Sequence, residues 1–422
     1  MHVLFIHRAF PAQFGRLALE LTRRYGWKCS FLVEHLSRCP SPSREMLEHL
    51  ELHRLPPSAA VRRDATVPWP QAYGQWLELG RAVYQAVRDR PGPRPDLVVG
   101  HGGLVPTFLL RELHDWPIVD YCEYYFAGRR SDLTYRIDLP PAEPAPFYPR
   151  CINAATLVNL VESDAAYTAT RWQRESFPPR FRPKIEVHPD GIDTELYRPH
   201  RVERVIADRS IPLGTRVVTF VARGLESVRG FDLFMRLAGR IARERPDVLF
   251  VVAGDEETYY GWDKLCTGGS SFKEWVLKQG GHDLSRFLFL GHIEPERLAE
   301  VLCLSDLHIC LTVPFVLSWS VLNALACSCV VLAGDVPPVR AVIEPGHNGL
   351  LEPLFDTERL AATALRVLDD PAAFRALGDA ARASVEEKYS LDVAVPELKE
   401  FFERAASRPG LAMPAARECV HA

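Results

Sequence analysis

Short runs of apolar residues recur along the chain and alternate with longer segments of helical period. The runs are rich in Val, Ile, Leu and Phe, and they lack the regular polar alternation of a strand with one solvent-facing side. Unalternated apolar strands separated by helices predict a parallel sheet that helices cover on both faces. One series of runs occupies residues 2–190 and a second occupies 216–350. The pattern therefore predicts an α/β chain with two doubly wound domains.

The strand-like runs of the first series are HVLFIH, KCSFLVEH, LVVGHGG, PIVDYCEYY and IEVHPDG, and those of the second are RVVTFVARG, VLFVVAGDE, FLFLGHI, DLHICLTV and CVVLAGD. Between the two series, residues 196–213 are polar, contain two prolines and show no strand pattern, so we place the interdomain linker there. Ligands of open α/β sheets bind outside the carboxyl ends of the strands. Two such domains facing each other therefore predict a central cleft.

Two segments lack a regular pattern. Residues 126–150 are Pro-rich and aromatic, and they form either a surface excursion or a lid over the cleft. Residues 407–422 show no periodicity, and we expect them to be mobile.

Composition limits the class of partner. The chain has 422 residues, of which 47% are hydrophobic and 25% charged, and a net charge of -4, as expected of a globular protein. Residues 1–200 contain 25 Lys and Arg against 23 Asp and Glu, and the remainder contains 25 against 31. Neither half has the basic excess that favours nucleic acid or an anionic membrane surface.

Cysteine spacing and the amino-terminal residues bear on localisation. The ten cysteines include no Cys-x-x-Cys, which is typical of free thiols in a reducing compartment. The residues after Met1 have the pattern of a strand, and no run has the length and character of a signal peptide or a membrane span. We expect a cytoplasmic protein without a transmembrane segment, and peripheral membrane contact stays open.

The first candidate for chemistry is the turn VARGLESVRGF. Arg223 and Arg229 leave the carboxyl end of a predicted strand six residues apart. Two guanidinium groups placed there can hold a diphosphate through bidentate, charge-assisted hydrogen bonds. In a chain this rich in arginine, two solvated turn arginines are the alternative interpretation.

The second candidate is PFVLSWSVLNALA, residues 314–326. Pro314 ends a strand, and Ser318 or Ser320 can cap the helix that follows. The free N–H groups of the first helical turn and the helix dipole favour a bound anion. The alternative is an ordinary buried strand-loop-helix unit.

Two further strand ends carry candidate residues. In EVHPDGID, Gly191 permits a close backbone approach and lies beside Asp190 and Asp193, although Asp193 is also a typical turn-capping residue. His101 ends the run VVGH and precedes two glycines. A histidine there can orient or polarise a hydroxyl group, and a purely structural role is the alternative.

Several motifs are absent from the sequence. No G-x-G-x-x-G follows the first strand and no G-x-x-x-x-G-K-[ST] occurs, which argues against dinucleotide-binding and P-loop proteins. No His/Cys cluster has zinc spacing, and no Asp-x-Asp is present to hold a metal against a diphosphate. Phosphate charge must then be met by the two arginines and by helix N-termini. This combination points to a nucleoside diphosphate that is bound as a leaving group.

Together these motifs resemble family 4 of the glycosyltransferases, group 1 type, whose members have the GT-B fold, retain anomeric configuration and need no metal. The resemblance covers nearly the whole chain, and VVGHGGLVPTFLLRELHDWPIVDYCEYYFAGRRSDL resembles the N-terminal domain of a bacterial subgroup. The other segments that carry it are HVLFIHRAFPAQFGRLALEL, KIEVHPDGIDTELYRP, FVARGLESVRGFDLF, VLFVVAGDEE, FLFLGHIEPERLAEVLCLSDLHICL and CSCVVLAGDVPPVRAVIEPGHNGLL.

The resemblance implies a division of labour between domains. Residues 1–198 would form an acceptor-binding Rossmann-like domain and residues 199–385 a Rossmann-like domain that binds the nucleotide-sugar. Residues 386–422 would supply a C-terminal helix that packs back toward the first domain, followed by a mobile tail.

The resemblance also implies site residues. Arg223 and Arg229 would hold the donor diphosphate and act with His101 in catalysis, and Arg229 stands where most relatives have Lys. Backbone N–H groups of Ser320 and Val321 would hold the distal phosphate. Tyr121 either joins the acceptor side or is a buried strand end. The residues expected on the donor side are Gly15, Gly191, Arg223, Arg229, Phe315, Ser318, Ser320, Val321 and Asn323, and those on the acceptor side are Glu123, Tyr124 and Tyr125.

The chain departs from the family at three further positions. Relatives usually carry glutamates eight positions apart where this chain has Phe315 and Asn323, and often a further Glu at Ala341. An amide is a weaker acceptor for a ribose hydroxyl than a carboxylate. We expect a loss of about 1 to 2 kcal/mol, so that donor affinity falls roughly tenfold without activity vanishing.

The sequence thus predicts a retaining, metal-independent glycosyltransferase without a cofactor. It would move a sugar from a nucleotide-diphosphate sugar to a hydroxyl or amine of a soluble small-molecule or oligosaccharide acceptor, with no nucleic-acid partner. Two other classes stay open. One is a GT-B partner or scaffold protein with a degenerate donor site, and the other is a GT-B sugar-nucleotide epimerase or phosphorylase.

Overall fold

The computed structural model describes residues 1–37, 41–55, 69–90, 92–127, 135–136, 138–139, 147–260 and 263–407. Most of the excursion at 126–150 and nearly all of the tail at 407–422 lie outside these residues. The prediction of a mobile tail therefore stays a prediction.

The first part of the chain folds around a seven-stranded parallel sheet with the order β5-β3-β1-β6-β7-β8-β9. Its strands are β1 (His2–Ile6), β3 (Lys28–Val33), β5 (Glu51–Arg54), β6 (Leu97–His101), β7 (Ile118–Tyr121), β8 (Ala165–Thr168) and β9 (Ile185–Val187); β2 (Ala9–Phe10) and β4 (His35–Leu36) form a separate short pair. The helices are α1 (Gly15–Tyr25), α2 (Arg44–His49), α3 (Trp69–Arg88), α4 (Phe147–Glu162) and α5 (Arg171–Ser176), with 3-10 turns at Phe108–Glu112 and Arg182–Lys184.

The second part folds around a six-stranded parallel sheet with the order β14-β13-β12-β15-β16-β17. Its strands are β12 (Arg216–Gly224), β13 (Val248–Asp255), β14 (Phe287–Gly291), β15 (Leu307–Cys310), β16 (Val331–Gly334) and β17 (Leu350–Glu352). The helices are α6 (Phe231–Glu244), α7 (Asp263–Cys266), α8 (Phe272–Lys278), α9 (Pro295–Cys303), α10 (Trp319–Ala326), α11 (Pro337–Arg340), α12 (Thr357–Asp369), α13 (Arg375–Lys388) and α14 (Leu391–Ala406), with 3-10 turns at Ser227–Arg229, Leu284–Arg286 and Pro371–Phe374.

Each predicted apolar run contains one strand of these two sheets, and the central strands are almost fully buried. Residues that point to either face of such a sheet meet a covering helix, which explains why the runs lack polar alternation. The predicted fold class, α/β with two doubly wound parallel-sheet domains, is confirmed. The linker differs in one detail, because β10 (Val205–Ile206) and β11 (Arg209–Ser210) form a hairpin where no strand was expected.

The last helix belongs to the core of the first domain. Six apolar residues of α14 pack in the same buried cluster as β1, α1 and β3. They are Leu391, Val395, Leu398, Phe401, Phe402 and Ala405. The chain therefore crosses from the first domain to the second and back again.

The two crossings lie side by side. The N–H group of Ile192 donates to the carbonyl of Tyr389 at 2.7 Å, and the N–H group of Leu391 donates to the carbonyl of Ile192 at 2.9 Å. These hydrogen bonds tie the outgoing and the returning segment into one hinge, which we call the paired hinge (residues 190–193 and 389–391).

Candidate active site

Each sheet has one point at which its strand order reverses. The point lies between β1 and β6 in the first sheet and between β12 and β15 in the second. Ligands of open α/β sheets bind in the crevice outside the carboxyl ends of the strands at such a point. His101 ends β6, Arg223 is the penultimate residue of β12, and Phe315 lies in the loop after β15. The candidate active site is therefore built from these strand ends.

Hydrogen bonds between the domains show that the two crevices face each other. The indole Nε1 of Trp172, on α5, donates to the carbonyl of Phe315 at 2.9 Å. The indole Nε1 of Trp319, the first residue of α10, donates to Asp190 Oδ2 at 2.9 Å. The central cleft predicted from the sequence is thus present between the domains.

His101 lies at the base of the cleft on the side of the first domain. Its ring is buried, its Nδ1 lies 3.1 Å from the carbonyl of Gly102, and its Nε2 lies 4.0 Å from Glu123 Oε2. The ring of His7 packs against it with the centroids 5.2 Å apart. Burial and the neighbouring His101 keep the pKa of His7 well below its usual value, so His7 is neutral at physiological pH. His101 and Glu123 therefore lie close together, as expected if both residues belong to one site.

Arg229 is buried next to the cleft and is not a solvated turn arginine. It ends the 3-10 turn Ser227–Arg229, and its guanidinium lies over the ring of Tyr260, with Cζ 5.4 Å from the centroid. Its Nε and Nη1 atoms are buried and have no hydrogen-bond partner among the described residues. Buried donors of a cation are costly to leave unpaired, so this group is suited to an anionic ligand.

Arg223 lies on the same side of the cleft but is exposed. Its Cζ is 3.9 Å from the centroid of the Tyr259 ring. Its charge also contributes to the lowered pKa of His7 in the first domain, so the guanidinium faces across the cleft. The loop after β13 therefore supplies one aromatic ring beneath each of the two predicted diphosphate-binding arginines.

Glu226, between the two arginines, is a residue to which the sequence analysis assigned no role. Its side chain is fully buried, and its Oε2 accepts hydrogen bonds from the N–H groups of Tyr259 at 2.7 Å and Tyr260 at 2.9 Å. Its Oε1 lies 3.7 Å from Arg229 Nε, within ion-pair range but beyond hydrogen-bond distance. Burial raises the pKa of this carboxyl to about 8, against the opposing effect of Arg229. The signal that could have identified it is an acidic residue within residues 223–229, which we call the arginine turn.

The first turn of α10 differs from its predicted form. Ser318 occupies the position before the helix, but neither its hydroxyl nor that of Ser320 caps a backbone N–H group, so the predicted side-chain cap is wrong. The two hydroxyls instead bond to each other at 2.8 Å. Val321 and Asn323 follow in the same helix with buried side chains. No side chain caps the first-turn N–H groups, although the N–H group of Val321, predicted to bind phosphate, donates to the carbonyl of Ser318 at 3.2 Å.

Phe315 lies in an aromatic cluster that joins the domains. Its ring centroid is 5.0 Å from that of Tyr124, 6.1 Å from that of Phe126 and 4.9 Å from that of Tyr260. We call these four rings the aromatic bridge. Only 1% of Phe315 is exposed, so its ring is covered by the bridge instead of lining the cleft.

The predicted acceptor-side tyrosines do not lie together. Tyr124 belongs to the aromatic bridge, whereas Tyr125 packs against Phe177 with the centroids 5.6 Å apart, in a different cluster. Tyr121 is a buried strand end, in line with its alternative interpretation.

The two predicted donor-side glycines are required by packing. A Cβ on Gly15 would lie 2.2 Å from Pro11 Cβ, and one on Gly191 would lie 2.8 Å from Leu391 Cδ2. Gly191 has a φ of 85°, which favours glycine. The element that approaches Gly191 closely is therefore α14, at the paired hinge.

Asp190 connects the two sides of the cleft. Its Oδ2 accepts from the indole of Trp319, and the side chains of Gln13 and Tyr121 lie close enough to act on its pKa in the lowering direction. Burial raises the pKa of this carboxyl to about 6, and the nearby Glu123 acts in the same direction. Asp193 has the turn-capping role of its alternative interpretation, because its Oδ1 accepts from the N–H groups of Glu195 and Leu196.

The described part of the excursion at 126–150 reaches the second domain. Arg136 is buried, and it donates to the carbonyl of Ser227 at 3.0 Å and to both carboxylate oxygens of Asp232 at 2.9 and 2.7 Å. Ser227 begins the turn that ends in Arg229. The excursion thus stabilises the arginine turn through hydrogen bonds to Ser227 and Asp232. The sequence analysis did not predict this contact.

Within the described ranges, no group of three or more His, Cys, Asp or Glu side chains is placed to hold a metal ion. None of the helices in those ranges is long and apolar enough to cross a membrane.

Two family comparisons match the chain in succession. Residues 26–197 match the family described as "Glycosyl transferase family 4 group", and residues 202–384 match "Glycosyl transferases group 1". Together the two matches cover both sheets except β1 (His2–Ile6), which precedes residue 26.

Several curated relatives share part of the sequence. The chain is 28% identical to alpha-D-kanosaminyltransferase of Streptomyces kanamyceticus over 207 residues, 49% of each chain. It is 23% identical to alpha-galactosylglucosyldiacylglycerol synthase of Streptococcus pneumoniae over 54% of this chain and 56% of the relative. The matches thus span about half the length of these two relatives. Glycogen synthase of Mycobacterium tuberculosis is 24% identical over 82% of this chain and 80% of its own.

Solved structures share the architecture at low identity. Sucrose-phosphate synthase from Thermosynechococcus elongatus superimposes with a TM-score of 0.71 at 15% identity, over 96% of this chain and 98% of the other. Anabaena Alr3699/HepE in complex with UDP-glucose superimposes with a TM-score of 0.69 at 14% identity, over 96% and 100%. At these identities the likeness shows the fold alone.

Proposed function

The chain belongs to the group 1 glycosyltransferases of family 4, and we propose that it transfers a sugar from a nucleoside-diphosphate sugar to a hydroxyl or amine of a soluble acceptor. The family and the GT-B fold predicted from the sequence are confirmed. Retention of configuration, the donor, the acceptor and independence of a metal ion are parts of the proposal.

One observation carries the proposal. Arg229 keeps two buried N–H donors unpaired among the described residues, at the strand-order reversal of the second sheet. The turn that holds it lies against the loop after β15, because the N–H group of Val313 donates to the carbonyl of Val228 at 2.9 Å. The same loop continues into α10. Arg229 and the first turn of α10 are thus placed at one edge of the sheet, where a diphosphate could contact both.

The proposed donor site combines three sources of positive charge. Arg229 holds the diphosphate from the buried side, Arg223 holds it from the exposed side, and the first-turn N–H groups of α10 hold the distal phosphate. Charge-assisted hydrogen bonds of this kind are about twice as strong as neutral ones. Arg229 also forms them in a buried setting, where each is worth more than in water.

The proposed reaction retains the configuration of the sugar. The acceptor approaches on the face from which the nucleoside diphosphate leaves. The bond from the anomeric carbon to the phosphate oxygen breaks, the bond to the acceptor oxygen or nitrogen forms, and a phosphate oxygen takes the acceptor's proton. The protein's part is to stabilise the charge that develops on the diphosphate and to align the two substrates.

Acceptor binding is assigned to the side of the first domain. Glu123 and Asp190 offer carboxyl oxygens there, and His101 offers a ring nitrogen, all near the carboxyl ends of β6 and β7. Such groups suit hydroxyl-bearing acceptors, because carboxylates accept hydrogen bonds from hydroxyl groups.

The decisive experiment measures sugar transfer by Arg229→Ala with a panel of nucleotide-sugars and acceptors. Loss of the buried guanidinium is expected to lower kcat/KM by about two orders of magnitude, and Arg229→Lys is expected to recover part of it. Arg243→Ala, on an exposed position of α6, is the matched control and should transfer at the normal rate. Equal turnover of Arg229→Ala and the wild type would refute the assignment.

Two additional measurements test the metal independence of the reaction and the scaffold alternative. Transfer should persist in EDTA if no metal ion takes part. Calorimetric titration with nucleoside diphosphates tests the scaffold alternative, which the replacement of the usual second glutamate by Asn323 keeps open. A failure to bind any common nucleotide would favour the scaffold over the enzyme.

A further inference from the structure

Two consecutive residues of the short helix α5 connect the two sides of the cleft. The indole Nε1 of Trp172 donates to the carbonyl of Phe315 in the second domain at 2.9 Å. The side-chain Nε2 of Gln173 donates to the carbonyl of Glu123 in the first domain at 2.8 Å. Phe315 lies in the loop that leads into α10, and Glu123 lies beside His101 on the side assigned to the acceptor. One helical turn thus contacts both segments that the proposed reaction must align.

Hydrogen bonds hold the side chain of Gln173 in one orientation. Only 1% of this residue is exposed. Its Oε1 accepts from the hydroxyl of Thr170 at 2.8 Å, so that its Nε2 is the group that faces the carbonyl of Glu123. The oxygen of the same hydroxyl accepts from the N–H group of Gln173 at 3.1 Å and caps α5. The amide therefore cannot turn away from Glu123 without breaking buried hydrogen bonds.

A second contact fastens the acceptor side to the same helix. The N–H group of Tyr125 donates to Ser176 Oγ at 3.1 Å, and the hydroxyl of Ser176 donates to the carbonyl of Gln173 at 2.6 Å. Residues 123–125, which we call the acceptor-side segment, are thus attached to α5 at both ends. The position of this segment follows that of the helix.

Phe315 is held by the first domain through its ring as well as through its carbonyl. Its buried ring packs against that of Tyr124, with the centroids 5.0 Å apart, and its carbonyl accepts from Trp172. On its other side the ring meets Tyr260 of the second domain, with the centroids 4.9 Å apart. The helix α10 begins four residues after Phe315. These contacts give the first turn of α10 a defined place relative to the acceptor-side segment.

We propose that Trp172 and Gln173 are positioning residues, which fix the acceptor-side segment relative to the loop that leads into the phosphate-binding turn of α10. This role rests on the proposed sugar transfer and adds to it two residues that act through alignment alone. Neither side chain carries a charge, so neither stabilises the diphosphate directly. A displacement of about 1 Å between reacting groups can slow a reaction by about two orders of magnitude.

The variant Trp172→Phe keeps an aromatic ring and removes the indole donor. It should lower kcat about tenfold, because donor and acceptor are no longer held in line. Its affinity for UDP, GDP or ADP, whichever the wild type binds by calorimetry, should change by about twofold at most. The affinity is kept because Arg223, Arg229 and α10 all belong to the second domain.

The fate of the donor distinguishes misalignment from a general loss of activity. When the acceptor is out of line, water can attack the anomeric carbon in its place, which gives free sugar instead of the transfer product. Trp172→Phe should therefore raise the share of donor that is hydrolysed. Free sugar and transfer product are quantified in the same reaction.

A second variant breaks the connection at its other end. Gln173→Met keeps a side chain of similar length and removes the donor to the carbonyl of Glu123. Because both hydrogen bonds belong to one connection, Trp172→Phe/Gln173→Met should lose about as much kcat as the more affected single variant. Losses of kcat that add up in the double variant would overturn the proposal.

Two matched controls should transfer at the normal rate. Trp275→Phe replaces a half-buried tryptophan of α8, whose ring stacks on Phe272 with the centroids 5.4 Å apart. Arg171→Ala changes α5 itself, at a side chain that is 79% exposed.

The outcomes separate this role from the proposed function. A wild type that transfers no sugar would refute the proposed function, and the positioning role with it. If the wild type transfers and Trp172→Phe has the same kcat and the same hydrolysed share, only the positioning role is overturned. Loss of nucleotide binding in both Trp172→Phe and Gln173→Met would show that these residues support the fold, and would overturn the positioning role as well.

Discussion

Glu226 illustrates how a single buried carboxyl links the stability of the protein to pH. Its folded-state pKa of about 8 lies above the ordinary value of 4.5 because the side chain is fully buried. The folded protein therefore keeps this proton over a range in which the unfolded chain has released it. The contribution of this group to the free energy of unfolding is therefore largest below pH 4.5, and it is lost as the pH rises toward 8.

Replacement of Glu226 by Gln should remove this pH dependence. An amide oxygen can still accept from the N–H groups of Tyr259 and Tyr260, but it carries no titrating charge. Relative to Glu226→Gln, the wild type should lose free energy of unfolding between pH 5 and pH 8, at no more than about 1.4 kcal/mol per pH unit. Urea unfolding at several pH values measures the difference, with Glu358→Gln as the control, because the side chain of Glu358 is 70% exposed. Parallel pH profiles of the wild type and Glu226→Gln would contradict the buried-proton explanation.

The sequence analysis identified several site residues, but it did not identify the side chains that contact them. Arg223, Arg229 and His101 could be identified because a strand end and a turn are local features. The unpaired donors of Arg229 and the covering of Phe315 depend on Tyr260 and Tyr124, which come from distant parts of the chain. No spacing rule contains that information.

At the scale of elements, the arginine turn depends on a segment from the other domain. Arg136 and Asp232 are both buried, and Arg136 also satisfies the carbonyl of Ser227. Removal of Arg136 leaves the buried carboxylate of Asp232 with only the half-exposed Arg236 as a partner, so its charge is compensated only in part, and such a loss typically costs more than the pair contributes.

Arg136→Ala should therefore lower the free energy of unfolding by about 3 to 5 kcal/mol. The double variant Arg136→Ala/Asp232→Ala should be less affected than the single one, because it no longer buries a carboxylate that has lost its buried partner. Arg236→Ala is the matched control, since this half-exposed arginine contacts the same carboxylate and should cost less than about 1 kcal/mol. Chemical denaturation gives all three values. A double variant that loses as much as the two single variants combined would argue against the pairing.

Elements were predicted most reliably where they are long and apolar. The runs that became β12 and β13 have 9 and 8 residues and leave a clear pattern. The hairpin of β10 and β11 has two residues in each strand, and its turn at Ala207 and Asp208 adopts positive φ without a glycine. Neither strand is long enough to show a period, so the hairpin could not be predicted.

At the scale of the whole molecule, the chain passes from the first domain to the second and back at the paired hinge. Gly191 lies in this hinge at a φ of 85°, with Leu391 Cδ2 2.8 Å from the position of a Cβ. Both conditions exclude a side chain at this position without rearrangement.

Gly191→Ala should destabilise the protein by about 1 to 3 kcal/mol, from the strained backbone and the clash with α14. Gly346→Ala is the control, because it has a similar φ of 77° but no atom within 4 Å of the added Cβ. Thermal or chemical unfolding of both variants separates the two contributions. An equal loss in both variants would assign the whole effect to the backbone and none to contact with α14.

Because α14 packs in the first domain, the order of translation also determines which domain can complete its core first. Six apolar side chains of the first domain's core are supplied by residues 391–405, which follow the entire second domain in the chain. The ribosome therefore releases the second sheet with all of its strands before the first domain has its last helix. The domain that is translated first is the one whose core is finished last, and until then it exposes an apolar groove that chaperones can recognise.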